Sequence, residues 1–584
     1  MKTENVNKIL IATAFPIYGA GSGVLVNLQS AYHRLHNKEV HIVTANNRDD
    51  FPKRDDIKYI VVPFTSEVAG HPVLEGAAPF NYLMFTTHTE STENFWNIGL
   101  KELEIYNETF ERTLKNEIED FDPDVIHAQH NWLLSSLCTK FGKPVITTVH
   151  GTDLIGYEKS QDYLSKIDEE LKQLEDFEYY DYLDKFFARE NLKASDIENE
   201  EYDLLRGKLT QEQAEKIQRI FDLMENRLKY RYYIQEAENS ARKSDKIIII
   251  SDAQMEKFVK LFPYAKDRCV LAENGYDERV YHYNEEEKSK DIIDQLNEKV
   301  EKGIKESIID VGEEKEKNIR KFGNIPKDSD FYGLFVGKFA DFKGIDALLM
   351  AMKKYTEAMK KQGKTITTIV VGSGKLNDNY MRLYDKLQLE NVRFTGKTTS
   401  EEIHKLQLIS EFKFVPSREE PFGLVVPEGC SDGIPVIGSN SGGIPSILKA
   451  DMTELPDEDL IKTKLGFLFK SLPKRPNNIA DAEYKELLEL DMLTADYIFD
   501  ESKKEESISH FMKMFNSSRE EAENYLSNYE ISVNTIAEAA LKILNREVVF
   551  DKQELHDYIS EKYGQNKKEI EILQIFEDAY EAHK

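Results

Sequence analysis

At 584 residues, with 40% hydrophobic and 11% aromatic side chains, the chain is too long for one core and too apolar for global disorder. Two or three packed domains are therefore expected. Its 77 basic against 106 acidic residues leave a net charge of −29, which argues against a nucleic-acid binder and against electrostatic docking on an anionic membrane. Three widely separated cysteines, Cys138, Cys269 and Cys430, suggest neither a disulfide framework nor a zinc site.

The polar first eight residues lead straight into an apolar run, with no signal-peptide pattern. No apolar stretch is long enough to span a bilayer, so a cytoplasmic protein is expected. Residues 9–13 (Ile-Leu-Ile-Ala-Thr) read as a buried parallel strand. A glycine loop, Gly19-Ala20-Gly21-Ser22-Gly23, then opens a helical pattern, and a second strand follows at residues 40–44. Strand, loop, helix and strand form a βαβ unit, and Gly21, Ser22 and Gly23 would offer backbone amides to an anion at a helix N-terminus. A nicotinamide dinucleotide does not fit. The spacing is G-x-G-x-G instead of G-x-G-x-x-G, and the second strand ends in Asn46-Asn47 with no acidic residue.

Two more buried strands are expected at residues 124–127 and 144–149. The second ends in His150-Gly151-Thr152-Asp153, at the carboxyl edge where open α/β sheets collect ligands. His127 and His130 fit better as groups that cap or line the strand edge. The D-x-D matches at residues 120–124 precede their strand and straddle Pro123, so they read as solvated loop carboxylates, not metal ligands. From about residue 155 to 245, proline is absent and apolar residues recur at helical spacing, which predicts a helical insertion. It could serve as a dimer contact or as an acceptor-recognition cap. A strand at 246–251 and the run Glu273-Asn274-Gly275 close this first domain, placed at residues 1–280. Residues 281–330 are charge-rich and read as a linker or a second insertion.

The second domain, placed at residues 331–500, opens with the strand Tyr332 to Val336, followed by Gly337-Lys338 and Lys343-Gly344 at the start of a helix. Further strands are expected at residues 367–371 and at 392–396, ending in Gly396. The strand at residues 412–415 leads into Glu420-Pro421-Phe422-Gly423-Leu424-Val425-Val426-Pro427-Glu428. The backbone amides of Phe422, Gly423 and Leu424 can face a phosphate, Pro427 suits a first helical turn, and the two glutamates can accept hydrogen bonds from sugar or ribose hydroxyls. Residues 501–584 are helical and acidic, with the segment 533–544 expected to return to the first domain.

Glu420 and Glu428, the continuation Gly433-Ile434-Pro435-Val436-Ile437 and the run Ser441-Gly442-Gly443-Ile444-Pro445 together resemble the E-x7-E element of family 4 retaining glycosyltransferases, which have the GT-B fold. The resemblance covers roughly residues 8–154, 246–280 and 330–470. It implies an α/β chain of two Rossmann-like domains facing a cleft. Lys338 and Lys343 would cradle the donor diphosphate, Gly396 would border the base, Glu428 would hold the ribose and Glu420 the donor sugar, while His150 would contact that sugar and face the acceptor. Two positions depart from the family pattern: Gly429 and Cys430 follow Glu428 where Ala-Met is common, and Ser446 stands where many members carry Glu.

The expected reaction is transfer of a sugar from a nucleoside diphosphate sugar, with a UDP-sugar preferred, to an unidentified hydroxyl acceptor. It would proceed with retention by front-face attack, with domain closure excluding water and neither metal nor further cofactor. A homo-oligomer is conceivable. A GT-B phosphorylase and a non-catalytic partner of another glycosyltransferase are the alternatives.

Overall fold

The computed structural model describes residues 5–18, 21–48, 50–51, 53–65, 75–85, 91, 93–206, 209–305, 322, 325–449, 452, 456–476 and 484–584. Gly19 and Ala20 of the first glycine loop, and residues 306–321 of the charged stretch, fall outside these. The chain forms two units, Met1–Glu273 with Lys568–Lys584, and Asn274–Lys567.

The first unit is built on a seven-stranded, wholly parallel sheet in the order β3-β2-β1-β4-β5-β6-β7. Its strands are β1 (Lys8–Thr13), β2 (Glu39–Asn46), β3 (Lys58–Pro63), β4 (Val125–Gln129), β5 (Val145–Val149), β6 (Lys246–Ile249) and β7 (Cys269–Leu271). The near-continuous apolar runs are required because both faces are covered. Along β1 and β2, Ile9, Ile11, Val40 and Ile42 join one core with Phe576, while Leu10, Ala12, Val43 and Ala45 join the other with Phe110. The order reverses between β1 and β4, which is where doubly wound sheets place ligands.

Four helices fill the span between β5 and β6: Thr152–Gln173, Tyr180–Phe187, Ala194–Leu205 and Gln211–Lys243. The last begins at a capping box made by Thr210 and Gln213. These helices have an apolar core of their own around Leu183, Phe186, Ile220 and Phe221.

The second unit repeats the plan with the order β10-β9-β8-β11-β12-β14-β13. Its strands are β8 (Phe331–Val336), β9 (Ile366–Val371), β10 (Val392–Gly396), β11 (Phe412–Val415), β12 (Val436–Ser439), β13 (Leu460–Lys462) and β14 (Gly466–Phe469). Only the edge pair β13–β14 is antiparallel. Within the charged stretch 281–330, Asp291–Lys305 is a helix that buries Ile292, Ile293 and Leu296 against this sheet.

Two doubly wound sheets with a helical C-terminal region make up the GT-B architecture. One expectation is corrected. The segment 533–544 belongs to the helix Arg519–Leu544, whose Val533, Ile536 and Ala540 pack in the core of the second unit. The segment that joins the first unit is instead the last helix, Gln565–His583, from Lys568 onward. There His33 meets Glu569, both fully buried, and Glu577 Oε1 accepts the Val6 amide at 2.9 Å. No helix among the described residues is long and apolar enough to cross a membrane.

Candidate active site

In the second unit, the carboxyl edge of the sheet is built from glycines, each followed closely by a lysine. β8 runs into Gly337-Lys338, β9 into Gly372-Ser373-Gly374-Lys375, and β10 ends at Gly396-Lys397. The glycines allow these neighbouring ends to touch. A Cβ on Gly372 would lie 1.8 Å from the Gly337 carbonyl, and the Gly372 amide donates to the Gly396 carbonyl at 2.9 Å. Lys338 is half-buried, and its ammonium is pushed below the usual lysine range first by burial and then by Lys375, Lys397 and Lys343. Four cations thus converge at one edge. That arrangement disfavours each charge by itself and favours a polyanion among them.

Lys343 occupies a 3-10 turn, Asp341–Lys343, that ends at Gly344 with φ +65°. A Cβ on Gly344 would lie 2.0 Å from the Pro416 carbonyl, so the turn is clamped onto the loop that follows β11. Lys343 Nζ consequently sits 2.5 Å from Glu420 Oε2, which also accepts from Ser417 Oγ at 3.1 Å. Two glycines hold the Glu420 backbone from behind. A Cβ on Gly442 would meet the Glu420 carbonyl at 2.0 Å, one on Gly443 would meet Phe422 Cα at 2.6 Å, and the Gly443 amide donates to the Glu420 carbonyl at 2.7 Å. Phe422 is buried and Gly423 turns the chain at φ +96°. Among the described residues, nothing accepts the amides of Gly423 or Leu424, leaving both as donors beside Glu420.

Glu428 lies in the short helix Val425–Ser431, its side chain one-fifth exposed. Desolvation pushes its carboxyl up to about 7, against the pull of Lys413, whose Nζ lies 3.8 Å from Glu428 Oε2. Lys413 is fully buried on β11, and burial lowers its ammonium in turn. At one departure from the expected pattern, a Cβ on Gly429 would lie 2.9 Å from Lys413 Cδ, so an alanine there would require the buried lysine side chain to shift. Nothing in the structure accounts for Ser446.

Behind the Glu420 loop lies a buried charge network. Arg418 holds Asp346 with its two terminal guanidinium nitrogens, and Arg475 bridges Asp341, Asp346 and Asp491. Burial alone would raise the Asp346 carboxyl, but the two arginines hold it well below the carboxylate range, whereas burial takes Asp491 up to about 7. The Arg418 amide donates to the Phe342 carbonyl at 2.7 Å, so the network fixes both the Lys343 turn and the Glu420 loop.

In the first unit, the helix Gly21–Leu35 begins at Gly21, and Gly23 is required there because a Cβ would sit 2.2 Å from the Pro16 carbonyl. Gly21 is open to solvent and Ser22 is half-buried. His150 follows β5, and Gly151 (φ +91°) starts the next helix. Asp153 accepts the Asn131 amide at 2.7 Å, which ties this turn to the loop after β4. His150 Nε2 lies 2.8 Å from Gln129 Oε1, and Gln129 Nε2 lies 3.2 Å from His127 Nε2. With the glutamine so placed, His150 donates from Nε2 and presents Nδ1 as an acceptor. Burial lowers its imidazole to about 4, so the ring is neutral near pH 7. His130 packs 4.5 Å from the His150 ring, in a left-handed backbone (φ +70°).

Asp120, the first of the D-x-D carboxylates, is exposed. Asp124 accepts the amides of Asn7 and Lys8, and Asp122 ends a helix beside Lys143.

Residues 315–463 match the family profile described as glycosyl transferases group 1. Over 161 residues the chain is 29% identical to an uncharacterized glycosyltransferase of Methanocaldococcus jannaschii, covering 25% of this chain and 43% of that protein. It is 32% identical over 117 residues to the D-inositol 3-phosphate glycosyltransferase of Corynebacterium aurimucosum, covering 19% of this chain and 27% of that one. The chain thus spans less than half the length of these curated relatives. A sucrose-phosphate synthase from Thermosynechococcus elongatus superposes over 99% of this chain and all of its own, with 14% identity and a TM-score of 0.49.

Proposed function

We propose that this chain, whose residues 315–463 form a glycosyltransferase group 1 module, transfers a hexosyl group from a nucleoside diphosphate sugar to a hydroxyl acceptor. The observation that carries the reading is the Lys343–Glu420 contact at an edge where Lys338, Lys375 and Lys397 also converge.

A donor's diphosphate gains negative charge as the glycosidic bond breaks. Lysines 338 and 343 and the amides of Gly423 and Leu424 would take that charge, each worth roughly 3 kcal/mol by analogy with one oxyanion-hole donor. Those cations compensate the leaving group, so no divalent ion is assigned to the step. Glu420, held by Lys343 and Ser417, binds donor-sugar hydroxyls, and Glu428 binds the ribose. The acceptor hydroxyl attacks the anomeric carbon on the face from which the diphosphate leaves, its proton passing to a leaving phosphate oxygen, with retention. The neutral His150, too weak a base at pH 7 for proton abstraction, offers Nδ1 to a hydroxyl. A UDP-sugar is the preferred donor, and the amides of Gly21 to Gly23 remain a second anion-binding candidate at a helix start.

The test is nucleotide release from a panel of UDP-, GDP- and ADP-sugars, with and without Mg2+ or Mn2+, beside Glu420→Gln. Slow hydrolysis of one donor, independent of the metal ions and abolished in the variant, is expected. If no donor is hydrolysed and none shifts the melting temperature, the reading fails. Cleavage of a glycoside that depends on inorganic phosphate would replace it with a phosphorylase.

A further inference from the structure

Away from the Glu420 loop, three side chains from separate segments of the second unit meet: His282, Glu287 at the end of the 3-10 turn Glu285–Glu287, and His404 in the helix Ser400–Ile409. One donor atom from each lies within 4.8 Å of the others. Glu287 Oε2 is 3.3 Å from His404 Nε2, and Glu287 Oε1 is 3.3 Å from His282 Nε2. Each of these two nitrogen–oxygen separations, one on each oxygen of Glu287, is what bonds of about 2.0–2.1 Å at tetrahedral angles produce.

We propose that His282, Glu287 and His404 bind one divalent transition-metal ion, with zinc as the probe.

The directions of the side chains carry the argument. His404 Nδ1 lies 2.9 Å from Asp432 Oδ1, a fully buried carboxylate whose other oxygen accepts from Gln407 at 2.6 Å. A neutral His404 therefore donates from Nδ1, and its Nε2 lone pair faces Glu287. In that tautomer two acceptors face each other at 3.3 Å, an arrangement that a cation between them would satisfy. The same carboxylate faces His282, whose ring stacks on His404 with centroids 4.9 Å apart. Protons would satisfy both contacts with His404 as an imidazolium and a neutral His282 donating from Nε2. One metal ion satisfies all three ligands with both rings neutral.

A carboxylate on the far nitrogen of a ligating histidine is also the usual way to orient the ring. Asn284 Nδ2, 2.8 Å from Glu287 Oε1, does the same for the glutamate. His282 and Glu287 are partly exposed, which leaves room for a water as fourth ligand. Two imidazoles and one carboxylate suit zinc and the neighbouring first-row ions better than magnesium or calcium. The ion would pin residues 282–287 to the helix Ser400–Ile409 and, through Asp432, to the end of the helix that carries Glu428. This differs from the expectation that the protein holds no metal, and it assigns the ion a structural role apart from sugar transfer.

The full chain is stripped with chelator and loaded with Zn2+. Bound metal is then measured by mass spectrometry after gel filtration, and affinity by competition with a chromophoric chelator. His282→Gln and Glu287→Gln, at partly exposed positions, are compared with wild type, with circular dichroism as the fold control. One zinc per chain is expected, with affinity at least about tenfold weaker in either variant and roughly tenfold weaker in Asp432→Asn. Co2+ should give visible absorption bands that both exposed-site variants lose. Equal stoichiometry and affinity in wild type and variants, or no zinc retained by wild type, overturns the site and leaves a protonated His–Glu–His contact.

Discussion

Lys343 Nζ stands 2.5 Å from Glu420 Oε2, although the two residues are 77 positions apart. The ammonium holds the carboxylate in place and remains beside the edge where the other lysines gather. Lys343→Met should therefore lower donor turnover on the order of 100-fold, as loss of one preorganised donor does. Lys343→Arg should keep the ion pair but recover only part of the rate, because a planar fork replaces a point charge. Steady-state nucleotide release measures both.

Glu428 should set a pH dependence. Its carboxyl is raised to about 7, so it is protonated below and ionised above that pH, and only the ionised form accepts from both ribose hydroxyls. Donor affinity is expected to rise between pH 6 and pH 8, and the rise should vanish in Glu428→Gln. The sign for stability is opposite. The unfolded carboxyl ionises near 4.5, so this group's contribution falls as pH climbs from there through 7. Titration calorimetry with the nucleotide diphosphate at several pH values checks the binding arm.

Gly443→Ala should remove donor binding while the second sheet stays folded. The new Cβ would lie 2.6 Å from Phe422 Cα and the Pro421 carbonyl, both backbone atoms that cannot yield without moving the Glu420–Leu424 loop. Loss of nucleotide-induced thermal stabilisation, with an unchanged far-ultraviolet dichroism spectrum, is the expected result.

Arg475→Met should destabilise the second unit by about 3–5 kcal/mol, the usual consequence of leaving buried charges uncompensated. Asp341, Asp346 and Asp491 would be left with Arg418 alone, in a region where Arg475, Asp346 and Asp491 are almost wholly buried. The unfolding transition of this unit is expected at lower urea concentration, and Glu420-dependent turnover should fall with it, since the same network holds the Arg418 backbone.

The positions named along the sequence had local signs. Apolar runs marked the strands, and glycines and lysines at their ends marked Lys338 and Lys343. Lys375 and Lys397 carry a similar glycine-then-lysine sign after β9 and β10, but seen singly they are two lysines among 77 basic residues. Lys413 had no sign at all: it lies in the middle of a strand, and only the helix packed above it makes it the partner of Glu428. The helix that joins the first unit was misplaced for a related reason. Residues 533–544 and 565–583 are both amphipathic, and amphipathicity does not say which core a helix covers.

Local chemistry therefore determined the elements of this protein: near-continuous apolar runs cover both faces of a parallel sheet, and glycine is needed wherever strand ends touch. The Glu-x7-Glu spacing belongs to the same level, because one loop and one helical turn carry it. The long-range contacts behind them are another matter: Arg418 meets Asp346 across 72 positions and Arg475 meets Asp341 across 134. The same holds for His404, which faces Glu287 across 117 positions. Such pairs are chosen by which buried charges the packed helices and sheets bring within bonding distance, and no residue in the chain records that choice by itself.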